Sequence, residues 1–324
     1  MPPEITATVE RWPVAGAFTI SRGAKTHVDV VVCTISDGDI IARGEGTAIY
    51  YEGESAQGCA DAINAYRGPL DRQALLTLMP RGAARNALDC AIWDWESQKA
   101  KTPVWRMAGL ACPAPLPTAY TISLGDPDAM AAAARAAAAR GFGLLKCKLT
   151  GAGDRDRIAA VRAGAPDARL IVDANEAWHD MDIAAEAAAL AALGVEMVEQ
   201  PIIHGREERL TGIASPLPLC ADESCHTRAD LDRLGDFAAV NIKLDKAGGL
   251  TEALALAAEA RARGFRIMVG CMLGTSLGIA PAALAAQGAD WIDLDGALLL
   301  AEDRPGGLPM RDGLLYPGSL WGQG

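Results

Sequence analysis

Aromatic residues are scarce in this sequence: 7 Trp, 5 Tyr and 4 Phe make up 5% of its 324 residues. Because 50% of the chain is hydrophobic, most of that content is aliphatic, much of it alanine, which suits helices packed closely on a sheet. No stretch approaches the roughly 20 uninterrupted apolar residues of a membrane span. The opening MPPEITATVERW carries an acid early and no apolar run, so no secretory leader is expected. The eight cysteines, Cys33, Cys59, Cys90, Cys112, Cys147, Cys220, Cys225 and Cys271, include no CxxC pair. A chain this long needs no disulfide staples, and reduced, mostly buried thiols of a cytoplasmic protein are expected. Positive charge is also short, with 30 Lys and Arg against 41 Asp and Glu and a formal net charge of −11. Such a chain repels phosphate backbones, which argues against nucleic acid as a partner. With only 22% charged residues, disorder is excluded. The length exceeds one average domain but accommodates one large α/β barrel with an appendage.

Residues 4–50 read as strands. VDVVVCTISDGDIIARGEGTA (28–48) holds two β-rich runs joined by Ser36-Asp37-Gly38-Asp39, a hairpin signal. Residues 56–111 read as helices, and AARNALDCAIWDWESQKA (83–100) places Ala87, Cys90, Ala91 and Trp95 on one face. ACPAPLPTAY (111–120), with three prolines, marks a domain boundary. Beyond it the pattern repeats. Short apolar runs recur as LLKCKL, LIVDAN, MVEQP, LCADES, VNIKLD, IMVGCM and WIDLDG, their closing residues 21 to 28 positions apart, with helical stretches between. One strand plus one helix per step predicts a parallel β/α alternation. Adding TAYTIS (118–123) gives eight strands, enough to close a barrel. No GxGxxG follows the first strand, which disfavours a dinucleotide-binding sheet. We expect an α+β cap from residues 1–115, with the tail 297–324 returning to it, and a β/α barrel from 116–296.

The strand ends carry the chemistry. Successive runs close on Lys146 and Lys148, Asp173, Glu199, Asp222, Lys243, and Asp293 and Asp295. In a β/α barrel all these ends face one mouth. Any one charge there is commonly a solvated loop start, but an ordered set on successive strands is not. Asp173, Glu199 and Asp222 come from three adjacent strands and would repel one another without a counter-ion. A divalent cation resolves that conflict, and an all-oxygen donor set suits Mg²⁺ or Mn²⁺. A purely ionic network with the lysines is the alternative, disfavoured because the two charge types occupy opposite flanks of the strand order. Lys146 and Lys148 alternate on one strand, so both point inward and should depress each other's pKa, as an amine base requires. Lys243 arrives from the opposite side. Two lysines flanking a cation fit removal of a proton α to a carboxylate and its return to either face, hence racemisation or epimerisation.

The order KxK (146–148), VDAN (172–175), VEQP (198–201), ADES (221–224), NIKLDKAGG (241–249), GCML (270–273) and DLDG (293–296) resembles the muconate-lactonising branch of the enolase superfamily, specifically its dipeptide epimerases acting on L-Ala-D/L-Glu. The likeness extends to GAARNALDC (82–90) and ESCHTR (223–228). It implies a modified (β/α)7β barrel with a capping domain, and a Mg²⁺-dependent two-base 1,1-proton transfer through an enediolate, with a place in murein peptide metabolism. It assigns the metal to Asp173, Glu199 and Asp222 and the bases to Lys148 and Lys243. Lys146 is expected to lower the pKa of Lys148 and contact the substrate carboxylate. The resemblance also implies that Asp293 and Asp295 hold the dipeptide's ammonium. Arg22, on a loop closing over the barrel, would take the Glu side-chain carboxylate as a guanidinium fork does.

The second cap loop, GTAIYYEGES (46–55), departs from the family, and Ile49, Tyr50 and Tyr51 would admit a more apolar second residue. Asn175 and Glu223 are expected to support the metal ligands. His27, His179, His204 and His226 read as surface or loop residues. The partner implied is a small dipeptide, without nucleic acid or membrane, and self-association stays open. Alternative readings are an N-succinylamino acid racemase or o-succinylbenzoate synthase using the same lysines, and a catalytically dead metal-binding barrel.

Overall fold

The valine-rich run after residue 27 is apolar at both parities, and both are used. In the computed structural model, which describes residues 2–20 and 23–324, β1 (Glu4–Ile20), β2 (Gly23–Asp37) and β3 (Ile40–Thr47) form an antiparallel sheet in that order. The expected hairpin is present, its turn made by Gly38 and Asp39. On β2, Val28, Val30 and Val32 pack into the main core, while Val31, Cys33 and Ile35 pack into a separate core under the cap helices. A strand covered on both faces is continuously hydrophobic for that reason.

The cap helices are α1 (Ala56–Ala65), α2 (Arg72–Leu78), α3 (Ala83–Ala100) and α4 (Val104–Met107). Ser55 caps α1 and Asp71 caps α2, each accepting a backbone N–H. α3 differs from its one-faced reading. It lies between the cap sheet and the barrel, so Ala87 and Leu88 join the cap core while Cys90 and Trp93 join the main core, and Trp95 is only half-buried. Its buried Arg85 and Asp89 are paired with the barrel. Arg85 donates to the Gly248 and Ala247 carbonyls at 3.0 and 2.6 Å, and Asp89 accepts from the Thr251 hydroxyl at 2.6 Å.

After β4 (Leu116–Pro117) come β5 (Tyr120–Ile122), α5 (Pro127–Ala139), β6 (Leu144–Lys148), α6 (Asp154–Gly164), β7 (Arg169–Asp173), α7 (Ile183–Ala192) and β8 (Val195–Glu199). Then follow β9 (Leu219–Ala221), β10 (Ala239–Ile242), α8 (Leu244–Ala247), α9 (Leu250–Ala262), β11 (Arg266–Gly270), α10 (Ser276–Ala285) and β12 (Trp291–Asp293). Strands β5 to β12 are parallel neighbours in sequence order, and the Ala119 N–H to Ile292 carbonyl bond, 2.8 Å, links the last strand to the first. The one-helix-per-step expectation fails twice. β8 to β9 and β9 to β10 are crossed by short 3₁₀ turns, Glu207–Leu210 and Arg228–Arg233. Pro201, Gly205, Gly212, Pro216 and Pro218 interrupt any helix in the first of these.

The tail adds β13 (Met310–Arg311) and β14 (Leu314–Leu315), the latter pairing with β4. It also meets the cap, where the Trp321 indole donates to the Cys90 carbonyl at 3.1 Å. Inside the barrel, Ala119, Leu144, Ile171, Met197, Cys220, Ala239, Met268 and Trp291 form a closed apolar floor, one residue per strand.

Candidate active site

The floor sets the direction of everything above it. Side chains alternate along a strand, so residues two positions beyond the floor also point inward. These are Thr121, Lys146, Asp173, Glu199, Asp222, Asn241, Gly270 and Asp293. One step higher come Lys148, Lys243 and Asp295. Gly270 is required here, since a Cβ would lie 2.8 Å from Asn241 Oδ1 and 3.1 Å from Lys243 Cε. Above this ring lies a cavity of ≈ 290 Å³ whose other wall is the cap, through Lys25, Thr47, Tyr50 and Tyr51.

Asp173, Glu199 and Asp222 each bring a carboxylate oxygen within 4.8 Å of the others, and all three are buried. Four ammonium groups answer them. Lys146 Nζ lies 2.7 Å from Glu199, 2.8 Å from Asp293 and 3.2 Å from Asp173. Lys148 Nζ is 2.7 Å from Asp173, and Lys243 and Lys246 are each 2.6 Å from Asp222. The expected separation of lysines and acids on opposite flanks is therefore incorrect: flexible four-carbon stems cross the barrel interior and pair directly.

This also corrects the expectation that Lys146 is depressed by its neighbour. Burial alone would lower the Lys146 ammonium, but Asp293, Glu199, Asp173 and Asp222 hold it well above the ordinary lysine range. Lys243 is likewise lowered by burial and raised further by Asp222. Burial, then the Asp173 charge, pushes Glu199 up to about 8 against the pull of Lys146. Asp173 and Asp222 stay below the usual carboxylate range because their lysines outweigh desolvation.

Charge and donor chemistry fit a hard divalent cation at the triad. Lys146, Lys148, Lys243 and Lys246 pair with Asp173, Glu199, Asp222 and Asp293, so a dication at the triad adds two positive charges to these paired groups. An anionic substrate carboxylate would neutralise that excess. All the donors are oxygens, as Mg²⁺ prefers. Asn241 Nδ2 donates to Glu199 Oε1 at 2.6 Å and the Asn175 backbone N–H to Asp173 Oδ1 at 2.9 Å, fixing both carboxylates. Asn175 Nδ2 also reaches Glu223 Oε1 at 3.3 Å, and both residues line the cavity.

At the last strand, Asp293 is held by Lys146, and Asp295 accepts the Thr121 N–H at 2.6 Å. Burial, then the neighbouring Asp293 charge, raises Asp295 to about 7. On the cap side, Tyr50 and Tyr51 line the cavity, but Ile49 is fully buried and does not. Arg22 lies outside the described residues. Lys25, three positions on, is half-buried in the cavity wall with its ammonium 4.2 Å from the centre of the Tyr50 ring. His226 is no surface residue: it is buried, and desolvation, then the Lys246 charge, lowers it to about 3.

Three contributors escaped the sequence reading. Lys246 was hidden inside NIKLDKAGG; its ammonium is capped by the Asp222, Cys225 and Asn241 carbonyls, the latter two at 2.7 and 3.0 Å. Gln200 was hidden inside VEQP. Thr121 follows from strand parity once the floor is known.

The family model described as enolase C-terminal domain-like matches residues 129–319. The chain is 43% identical to the L-Ala-D/L-Glu epimerase of Escherichia coli strain K12, covering 95% of this chain and 97% of that one. It is 40% identical to an N-acetyl-D-glutamate racemase from a Pseudoalteromonas species, over 90% and 95%. Among solved structures, an enolase family member from Agrobacterium tumefaciens with homology to dipeptide epimerases, with bound sodium and L-Ala-L-Glu, shares 50% identity. Its TM-score is 0.93, with 99% and 100% coverage. A dipeptide epimerase from Enterococcus faecalis, complexed with Mg and L-Leu-L-Tyr, shares 28% identity with a TM-score of 0.89, over 99% and 98%.

Proposed function

Because the chain belongs to the enolase superfamily, we propose that it is a Mg²⁺-dependent isomerase that epimerises dipeptides, L-Ala-D-Glu and L-Ala-L-Glu foremost, at the Cα beside the C-terminal carboxylate. One observation carries this reading: the two outer acids of the triad each hold a lysine, Lys148 on Asp173 and Lys243 on Asp222. The reacting carbon is thereby flanked by an amine on either side. With Asp173 and Asp222 given over to the cation and their lysines released, one lysine would take the α-proton as a free amine while the other, as ammonium, would deliver a proton to the opposite face. The reverse reaction exchanges their roles, and atoms and charge balance over the cycle. Asp173, Glu199 and Asp222 would hold Mg²⁺, which when bound would supply positive charge to the substrate carboxylate. Lys146 adds its own charge on the same side. Asp293 and Asp295 receive the dipeptide's ammonium, whose arrival keeps Asp295 ionised against the pull of burial.

Racemisation of an N-acylated amino acid is the second reading, supported by the 40% identical racemase and by the engagement of Asp293 with Lys146. Deuterium incorporation at Cα and epimer appearance in D₂O, read by mass spectrometry and chiral separation, separate the two. Turnover of L-Ala-L-Glu with negligible exchange of N-acetyl-L-glutamate is expected; the reverse outcome overturns the dipeptide reading, and exchange of neither leaves a dead barrel. On this reading we place the enzyme in the cytoplasm, where its eight unpaired thiols would stay reduced, and in the metabolism of murein-derived peptides.

A further inference from the structure

Gln200 is buried, with a backbone φ of +36, a region L-residues other than glycine rarely occupy. Strain of that kind persists only where the surroundings enforce it, and here every polar group of the residue is engaged. Its Oε1 accepts the Asp222 backbone N–H at 2.9 Å and that of Ser224 at 3.2 Å. Its Nε2 donates to the Ile202 carbonyl at 2.8 Å and to Ser224 Oγ at 2.9 Å. Its own N–H donates to the Cys220 carbonyl at 2.9 Å, and its carbonyl accepts from Glu176 at 2.8 Å. Gln200 follows Glu199 directly, Cys220 to Ser224 surround Asp222, and Glu176 lies three residues beyond Asp173. One residue therefore continues the Glu199 strand, holds the end of the Asp222 strand and bonds the loop that follows Asp173.

We infer that Gln200 is a positioning residue for the cation site, fastening the Asp173, Glu199 and Asp222 strand ends against the mutual repulsion of their carboxylates. This rests on reading that triad as the Mg²⁺ site. The triad carboxylates, within 4.8 Å of one another, are each drawn to a lysine, and unless their backbones are restrained a cation that displaces those lysines has to gather the carboxylates against their repulsion at the expense of its affinity. A glutamine serves where an acid or a hydrocarbon would not. It accepts from one strand and donates to its own loop without adding a fourth negative charge.

The test is titration calorimetry of Mg²⁺ into protein freed of metal by chelation, alongside circular dichroism and thermal melts. Binding by the wild type is expected, and its absence overturns the cation reading itself. Gln200→Ala should bind Mg²⁺ about 10–100-fold more weakly, the usual loss when the groups that orient metal ligands are removed. Raising Mg²⁺ should recover much of its kcat. A merely structural role would lower the melting temperature and leave the Mg²⁺ affinity of the folded variant unchanged. Ser224→Ala, which deletes one acceptor of the Gln200 amide, should weaken affinity severalfold, and it decides the matter if Gln200→Ala does not fold. Wild-type-like affinity, within twofold, in a folded Gln200→Ala, or in Ser224→Ala where only that variant folds, overturns the role of Gln200 while leaving the cation site standing.

Discussion

Lys148 and Lys243 hold opposite ends of the carboxylate triad, so losing either should remove one proton transfer and spare the other. Lys148→Ala and Lys243→Ala should each abolish epimerisation yet let one epimer exchange its α-proton with D₂O, and the exchanging epimer should differ between the two. Normal epimerisation by both variants would remove the two-base assignment. Specificity for an acidic second residue poses a separate question at the mouth. By resemblance Arg22 takes the distal carboxylate, yet Lys25 stands in the cavity wall over Tyr50, its ammonium destabilised by burial alone and, among the described residues, in no ion pair. A charged hydrogen bond is worth roughly 1.5–3 kcal/mol. Arg22→Met or Lys25→Met should therefore lower kcat/KM for Ala-Glu by about tenfold to a hundredfold and barely touch Ala-Leu. The variant with the larger selective loss identifies the anchor, and equal losses on both substrates in both variants would place specificity elsewhere, with Tyr50 and Tyr51 the next to examine.

Between residue and molecule, the segment from β10 into α8 shows how the Lys243 strand end is tied to the cap. Two residues past Lys243, Asp245 Oδ1 accepts the Thr47 N–H at 2.8 Å, where β3 ends, and Asn86 Nδ2 of α3 at 2.8 Å. Burial raises its carboxyl to about 7 against those two hydrogen bonds, and the cap acids Glu54 and Glu45 add to the rise. The folded chain thus keeps this proton where the unfolded chain, with an ordinary Asp near 3.8, has lost it. Its contribution is largest below that value and declines as pH rises towards 7. Asp245→Asn retains the Oδ1 acceptor without the charge. Its melting temperature relative to wild type should therefore rise between pH 5 and pH 8, and a constant difference would show that Asp245 does not titrate there. Nothing in the sequence announced this contact. The barrel strands were legible because each closes on a polar residue at regular spacing, and parity gave the inward face. α3 was not, because a helix packed on two sides loses the one-sided pattern that periodicity detects. The 3₁₀ crossings were missed because step length counts residues and not the Pro and Gly that break a helix. Lys246 and Gln200 stayed unread inside motifs whose neighbours drew the eye, since hydrogen bonds to backbone carbonyls and N–H groups leave no signature in a sequence.

For the whole molecule, the ion pairs that four lysines make with Asp173, Glu199, Asp222 and Asp293 decide what metal removal does. Many metal sites collapse when emptied because their ligands are left with uncompensated charge. Here Lys146, Lys148, Lys243 and Lys246 already compensate Asp173, Glu199, Asp222 and Asp293, and the barrel floor beneath them is a closed apolar layer. Chelation should therefore abolish turnover without unfolding the chain, and far-ultraviolet circular dichroism should stay unchanged. Mg²⁺ must displace lysine ion pairs to bind, so its stabilisation is the net of two favourable arrangements and should follow simple mass action. At a hundred times Kd that amounts to about 2.7 kcal/mol, a shift of a few degrees in a chain of this size. Melting curves across a Mg²⁺ series, with and without chelator, check both halves. Unfolding on chelation at room temperature would show that the lysines do not sustain the metal-free mouth. Full activity after exhaustive chelation would show that the carboxylate triad serves the lysines alone, and the proposed Mg²⁺ chemistry would have to be abandoned.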